Sequence, residues 1–166
     1  MSDSRCPILV LGLGNLLLSD DGFGLELLTR LRDSYGAKPG VEFLDGGTLG
    51  TALLGEIEGR QALLILDAVG GGTPGQVSCV EDPLRYPSPQ GIGGHGANAS
   101  GLLAAASLLN WLPEHVAVVG ATPLSLATNI GLSDPLRKAL PEAVGLAEAT
   151  LAEFMSRIDG GALCTS

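Results

Sequence analysis

Residues 7–24 read PILVLGLGNLLLSDDGFG. An apolar run with strand character, Ile8 to Leu11, meets a glycine turn, Gly12-Leu13-Gly14-Asn15, and a helix opens beyond Gly22. Strand, glycine turn and helix in that order begin an open α/β sheet, and ligands collect at that junction. Between turn and helix stand two acids, Asp20 and Asp21. A phosphate site at a helix mouth uses amide N–H groups and a Lys or Arg, whereas carboxylates repel phosphate. Two aspartates in this place suit a metal ion or a cationic group. The competing reading is local: acids stabilise a helix N-terminus, and either aspartate can do no more than that. The Gly12-x-Gly14 pair lacks the third glycine of a dinucleotide fingerprint.

The alternation continues along the chain. Strand one covers about 8–12, and helix one about 23–33, with Phe23, Leu27, Leu28 and Leu31 on one face. A short strand at 41–44 runs into Asp45-Gly46-Gly47-Thr48, where Thr48 is a candidate cap for a helix over 49–57. Ala62 to Leu66 is an unbroken apolar run ending in Asp67. Such a run marks a strand covered on both faces, as in a parallel sheet. Residues 76–80 alternate and read as an antiparallel edge strand, and 81–98 as a long loop, a length that is usually functional. A helix is expected over 99–112, a buried strand over 116–120 and an irregular stretch over 122–131. Ser133 reads as the cap of a last helix from about 135 to 158, kinked at Pro141, with a frayed tail from about 160. The fold class is α/β: a three-layer α/β/α sandwich around a twisted, mostly parallel sheet of about five strands, with residues 1–166 as one domain.

Composition narrows the partners. A net charge of −9 from 9 basic and 18 acidic residues argues against nucleic acid and anionic membrane surfaces. Cys6, Cys79 and Cys164 are odd in number and form no CxxC pair, which fits a reducing cytoplasm better than a disulfide framework. The N-terminal apolar run follows Asp3, is broken by Gly12, Gly14 and Asn15, and has no small-residue cleavage site. It reads as a strand, not a signal peptide.

Asp21 follows strand one, Asp67 ends strand three, and His95 lies in the glycine-rich stretch 91–96 before a helix. Parallel strands bring their carboxyl ends to one edge, so these three can converge there. Two carboxylates and an imidazole are a ligand set for a divalent transition metal. Asp45, after strand two, faces the same edge as an outer or acid/base candidate. His115, beside Pro113 at a strand start, reads as structural. No GxSxG elbow is present, and Cys79 has no glycine turn or helix mouth beside it. An aspartic dyad needs carboxylates from separate segments, and Asp20 and Asp21 are neighbours. The residues alone therefore give a metal-linked site on an α/β sheet, and no reaction.

Three segments carry a resemblance further: GNLLLSDDGFG at 14–24, DGGTLG at 45–50 and LILDAV at 64–69. In this order they resemble the hydrogenase maturation endopeptidases. The likeness continues through His95, the helix at 102–109 and VVGATP at 118–123, and spans roughly 8–147. The resemblance implies an endopeptidase that removes a short C-terminal extension from the large-subunit precursor of [NiFe] hydrogenases after nickel insertion. The nickel carried by that precursor would be part of the recognition signal. Asp21, Asp67 and His95 then correspond to the metal-contacting residues, and Asp45 to the acid of the DGGT segment. Asp21, Asp67 and Asp45 are the catalytic candidates of an aspartic-type peptidase by this likeness, with zinc or cadmium as other occupants of the metal site. Gly96 follows the histidine where the family often carries a longer polar residue. A cytoplasmic monomer is expected. Two rivals differ in class: a nickel-sensing maturation chaperone that does not cut, and a nucleotide- or flavin-binding protein suggested by the glycine turn.

Overall fold

The structure is a computed structural model that describes residues 5–81 and 99–163. Five strands form one sheet: β1 (Ile8–Leu13), β2 (Val41–Gly47), β3 (Ala62–Ala68), β4 (Val77–Glu81) and β5 (His115–Ala121). Their spatial order is β2-β1-β3-β5-β4. The first four in that order are parallel, and β4 returns antiparallel to β5. The helices are α1 (Phe23–Tyr35), α2 (Leu54–Ile57), α3 (Ala99–Leu108) and α4 (Asp134–Leu163).

Side chains alternate across a strand, so each central strand feeds two cores. Ile8 and Val10 of β1, with Leu64 and Leu66 of β3, pack against Phe23, Leu27 and Leu31 of α1 and Leu140, Leu151 and Phe154 of α4. Leu9, Leu11, Leu63 and Ile65 point the other way, onto Leu53, Ile57, Leu102 and Leu103. Both faces of β1 and β3 are covered, which is why their sequences are unbroken apolar runs rather than alternating ones. Each such Leu or Ile, fully buried, contributes about 1.5–3 kcal/mol. This is the expected three-layer α/β/α arrangement.

The first turn of α1 rests directly on the sheet. A Cβ at Gly24 would lie 2.3 Å from the carbonyl oxygens of both Leu13 and Leu66. Only glycine lets the helix approach the ends of β1 and β3 this closely. At the opposite edge of the sheet Arg60 is enclosed, its side chain only 1% exposed. Its guanidinium meets Glu42 at 2.7 Å and donates to the carbonyl of Cys6, while its Nε donates to the carbonyl of Glu56.

Several boundaries differ from expectation. β2 continues to Gly47, and the segment after it is a 3-10 turn, Gly50–Leu53, followed by the single turn of α2. Thr48 does not cap it: the residue before the turn is Leu49, and no side chain supplies the cap. α3 stops at Leu108, and Asn110 then takes a left-handed conformation, with φ 57°, that ends the helical path. α4 holds Pro141 inside it and is helical to Leu163, past both the expected end at 158 and the onset of the expected frayed tail. The Ser133 hydroxyl, read as its cap, donates instead to Asp20. Among the described residues no helix is long and apolar enough to cross a membrane.

Candidate functional site

From β1 the chain passes through α1 to β2 on one side, then crosses back to β3 on the other. The crevice outside the carboxyl ends of β1 and β3 is therefore the switch point of the sheet, where such folds place ligands. Asp21 lies in the 3-10 turn Ser19–Gly22 that follows β1, and Asp67 is the penultimate residue of β3.

The glycine turn builds this place. Gly14 has φ +137°, and a Cβ on it would lie 2.0 Å from the carbonyl oxygen of Asp21. Any side chain at 14 would thus displace the Asp21 turn. The N–H of Asn15 donates to Asp21 Oδ2 at 3.0 Å. Asp67 is 7% exposed. Its Oδ1 accepts the N–H of Ala68 at 2.8 Å, and its Oδ2 accepts the N–H of Ala99, the first residue of α3, at 3.4 Å. The mouth of α3 thus favours negative charge at Asp67.

Burial pushes the Asp67 carboxyl up to about 7; the N–H groups of Ala68 and Ala99 oppose this, and the charge of Asp21 raises it further. Asp21 is also raised, by burial, against the Asn15 N–H. Two carboxylates from separate segments therefore act on each other at the switch point. Among the described residues no Lys or Arg pairs with either. Such a pair can take a proton or a cation, and it can pass a proton at neutral pH.

Of the residues expected here, Asp21 and Asp67 come together. Asp45 lies on the same edge, one strand away, paired in register with Gly12. It is exposed, and its Oδ1 accepts the N–H of Gly47 within its own turn. His95 lies outside the described residues. Among those described, no cluster of three His, Cys, Asp or Glu that could hold a metal assembles. His115 stacks on Phe154 at the far edge of the sheet, as a structural residue would.

Asp20 has a part that its sequence does not announce. It is 0% exposed and does not cap α1, whose first turn follows Gly22 with no side-chain cap. Its Oδ1 accepts the Ser133 N–H at 2.7 Å, and its Oδ2 accepts the Ser133 hydroxyl at 2.8 Å and the N–H groups of Leu124 and Ser125 at 2.9 and 3.1 Å. Burial alone would raise its pKa; the bonds from Ser133, Ser125 and Leu124 outweigh burial and hold it below the usual value. The donors are mostly backbone groups more than a hundred residues away, so the sequence holds no pattern that would reveal them.

The family model "Hydrogenase maturation protease" (HycI) matches residues 25–150. The hydrogenase 2 maturation protease of Escherichia coli is 33% identical over 88% of this chain and 91% of its own length. The hydrogenase expression/formation protein HupD of Bradyrhizobium diazoefficiens is 34% identical over 89% of this chain and 79% of its own. The solved structure of the E. coli hydrogenase maturating endopeptidase HybD overlays with a TM-score of 0.78, covering 88% of this chain and 92% of that one at 33% identity. HycI of Thermococcus kodakarensis, 22% identical, shares the fold with a TM-score of 0.70.

Proposed function

The chain belongs to the hydrogenase maturation protease family, and from that premise we propose that it removes the C-terminal extension of a [NiFe] hydrogenase large-subunit precursor, recognising the nickel that the precursor carries. The observation that carries this reading is the pair Asp21 and Asp67, whose charges act on each other at the switch point with no Lys or Arg paired to either among the described residues. Anionic oxygen donors in a half-enclosed site fit a divalent ion. Their mutual repulsion is relieved when a cation arrives, and Asp67 then gives up its proton.

The nickel enters as part of the substrate. Asp21 and Asp67, with His95 as a third donor, take positions left open on it and bring the scissile peptide alongside. A metal ion in such a place polarises a carbonyl or activates water. In this reading a carboxylate of the pair takes the proton from the attacking water. That assignment makes the peptidase aspartic in type, with Asp45 further out on the edge. Requiring metal and peptide together would restrict cutting to loaded precursor.

The rim suits a polypeptide. Leu16, Leu17, Leu49, Leu124 and Ile130 sit on loops that leave β1, β2 and β5 at the carboxyl edge, and each is at least 53% exposed. Large apolar side chains gathered around a site mark a surface that a partner covers. The test is the intact mass of the precursor after incubation with this protein, nickel-loaded and nickel-free in parallel. Loss of a C-terminal fragment from the loaded sample alone is the expected result. An unchanged mass with a cognate, loaded precursor would sink the proposal and leave a nickel-sensing chaperone in its place.

A further inference from the structure

We infer that Asp20 is a positioning residue: by locking the turn at 19–22 to the segment 124–133, it sets where Asp21 stands opposite Asp67. This rests on the reading of Asp21 and Asp67 given above and adds to it a residue that touches neither substrate nor metal.

The two neighbouring acids are built in opposite ways. Among the described residues the Asp21 carboxylate accepts one hydrogen bond, from the Asn15 N–H. Its carboxylate is therefore placed chiefly by the backbone under it. That backbone is fixed one residue earlier. Asp20 gathers four donors from Leu124, Ser125 and Ser133 on one fully enclosed carboxylate. The backbone bonds run the same way. The N–H of Asp20 donates to the Ser125 carbonyl, the N–H of Ser19 to the Asn129 carbonyl, and the N–H of Asn129 to the Leu17 carbonyl. The Ser19 hydroxyl donates to the Ala127 carbonyl at 2.7 Å.

Two costs show that this lock does more than tie down a loop. Ser19 sits at φ 52°, a left-handed conformation that a non-glycine residue adopts at a cost of about 1 kcal/mol or more. Asp20 is a buried carboxylate whose partners among the described residues are neutral donors and no cation. A loop can be fastened by apolar contacts without either. What the carboxylate adds is direction: donors from both ends of the 124–133 segment converge on two oxygens, leaving the turn one orientation. Strain that is over-determined by its surroundings gathers where a neighbouring group must be held in place.

The test uses the full-length protein and a nickel-loaded precursor, with Asp20→Asn, Ser133→Ala and Asp21→Ala compared with wild type. Asp20→Asn turns an amide N–H₂ toward donors and can fail to fold, so Ser133→Ala, which removes one hydroxyl, carries equal weight. We expect kcat to fall at least 30-fold for Asp20→Asn and three- to tenfold for Ser133→Ala, with KM changed less than threefold, well below each variant's Tm. Nickel chloride titrated into the precursor-free variants should bind at least fivefold more weakly than to wild type. A lowered Tm with kcat and nickel affinity within twofold of wild type, in Ser133→Ala and in any folded Asp20→Asn, would mean that the lock only stabilises, and the inference would fall while an impaired Asp21→Ala kept the function standing. Unimpaired cleavage by Asp21→Ala would overturn the reading of Asp21 and this inference with it.

Discussion

At the amino-terminal edge of the sheet, Arg60 is enclosed, yet its guanidinium meets Glu42 and two backbone carbonyls. At the carboxyl edge, Asp67 is enclosed to nearly the same degree, and the charge that acts on it is another carboxylate. A buried ion is stable when opposite charge and hydrogen bonds replace the water it lost. Arg60 has both within its own chain. Among the described residues Asp67 has two N–H groups and a repelling neighbour, and with burial this makes its folded state favour the proton. The difference separates a charge satisfied within the fold from one that, in the proposed function, is kept for something that comes from outside.

The sharpest way to break this contrast is to remove the acids. Asp21→Ala and Asp67→Ala should each lower cleavage of nickel-loaded precursor by roughly a thousandfold, the scale on which electrostatic groups at a reacting centre act. Circular dichroism should stay native. Rates near wild type would show that the carboxyl edge is merely strained. Arg60→Ala assayed in the same way should cleave at the wild-type rate.

The second test is pH. The Asp67 pKa is raised from 3.8 to about 7. Between those values the unfolded chain has released its proton and the folded chain has not, so stability falls as pH rises and levels off above about 7. At 1.36 kcal/mol per pH unit the loss is about 4 kcal/mol. Asp67→Asn does not ionise. It should be more stable than wild type by roughly 4 kcal/mol at pH 8 and equal to it near pH 4, read from urea midpoints. An equal gain at both pH values would mean that the amide acts through packing, not charge.

The third test works at the other edge. Arg60→Ala removes a donor to two half-buried carbonyls and a partner to two glutamates that remain half in water. The loss should be about 2 kcal/mol, below the 3–5 seen when a buried charge is left alone. It should shift the urea midpoint and leave cleavage unchanged. The smallest effect is expected at the rim. Leu17→Asp should raise KM about fivefold, equivalent to about 1 kcal/mol of lost apolar contact, without moving kcat. A KM unchanged by Leu17→Asp and by Leu124→Asp together would show that the precursor docks elsewhere.

Most of the fold is legible in the sequence because burial on two faces writes itself as unbroken apolar runs, and those runs locate β1, β3 and β5 within a residue or so. Asp21 and Asp67 are legible for the same reason: each follows such a run directly. The duty of Asp20 is not legible. Its donors are chiefly backbone N–H groups, and every non-proline residue has one, so nothing at 124, 125 or 133 distinguishes a partner. The mutual effect of Asp21 and Asp67 is hidden as well. Asp20 and Asp21 are adjacent in sequence, whereas the two acids whose charges interact lie 46 residues apart (67 − 21). The glycines at 160 and 161 point to an end of α4 near 158, yet the helix runs on to Leu163 past its last core contact at Ile158, with residues 159–161 exposed.

The lock on Asp20 also has a consequence in time. Synthesis delivers β1, both neighbouring acids, β2 and β3 within the first 68 residues, so a growing chain carries Asp21 and Asp67 early. The donors at 124, 125 and 133 leave the ribosome much later. Until they do, the turn has nothing to close upon. If Asp20 sets the place of Asp21 as inferred, the two acids are made first and brought into line last, so a nascent chain passes through most of its own translation with them out of register.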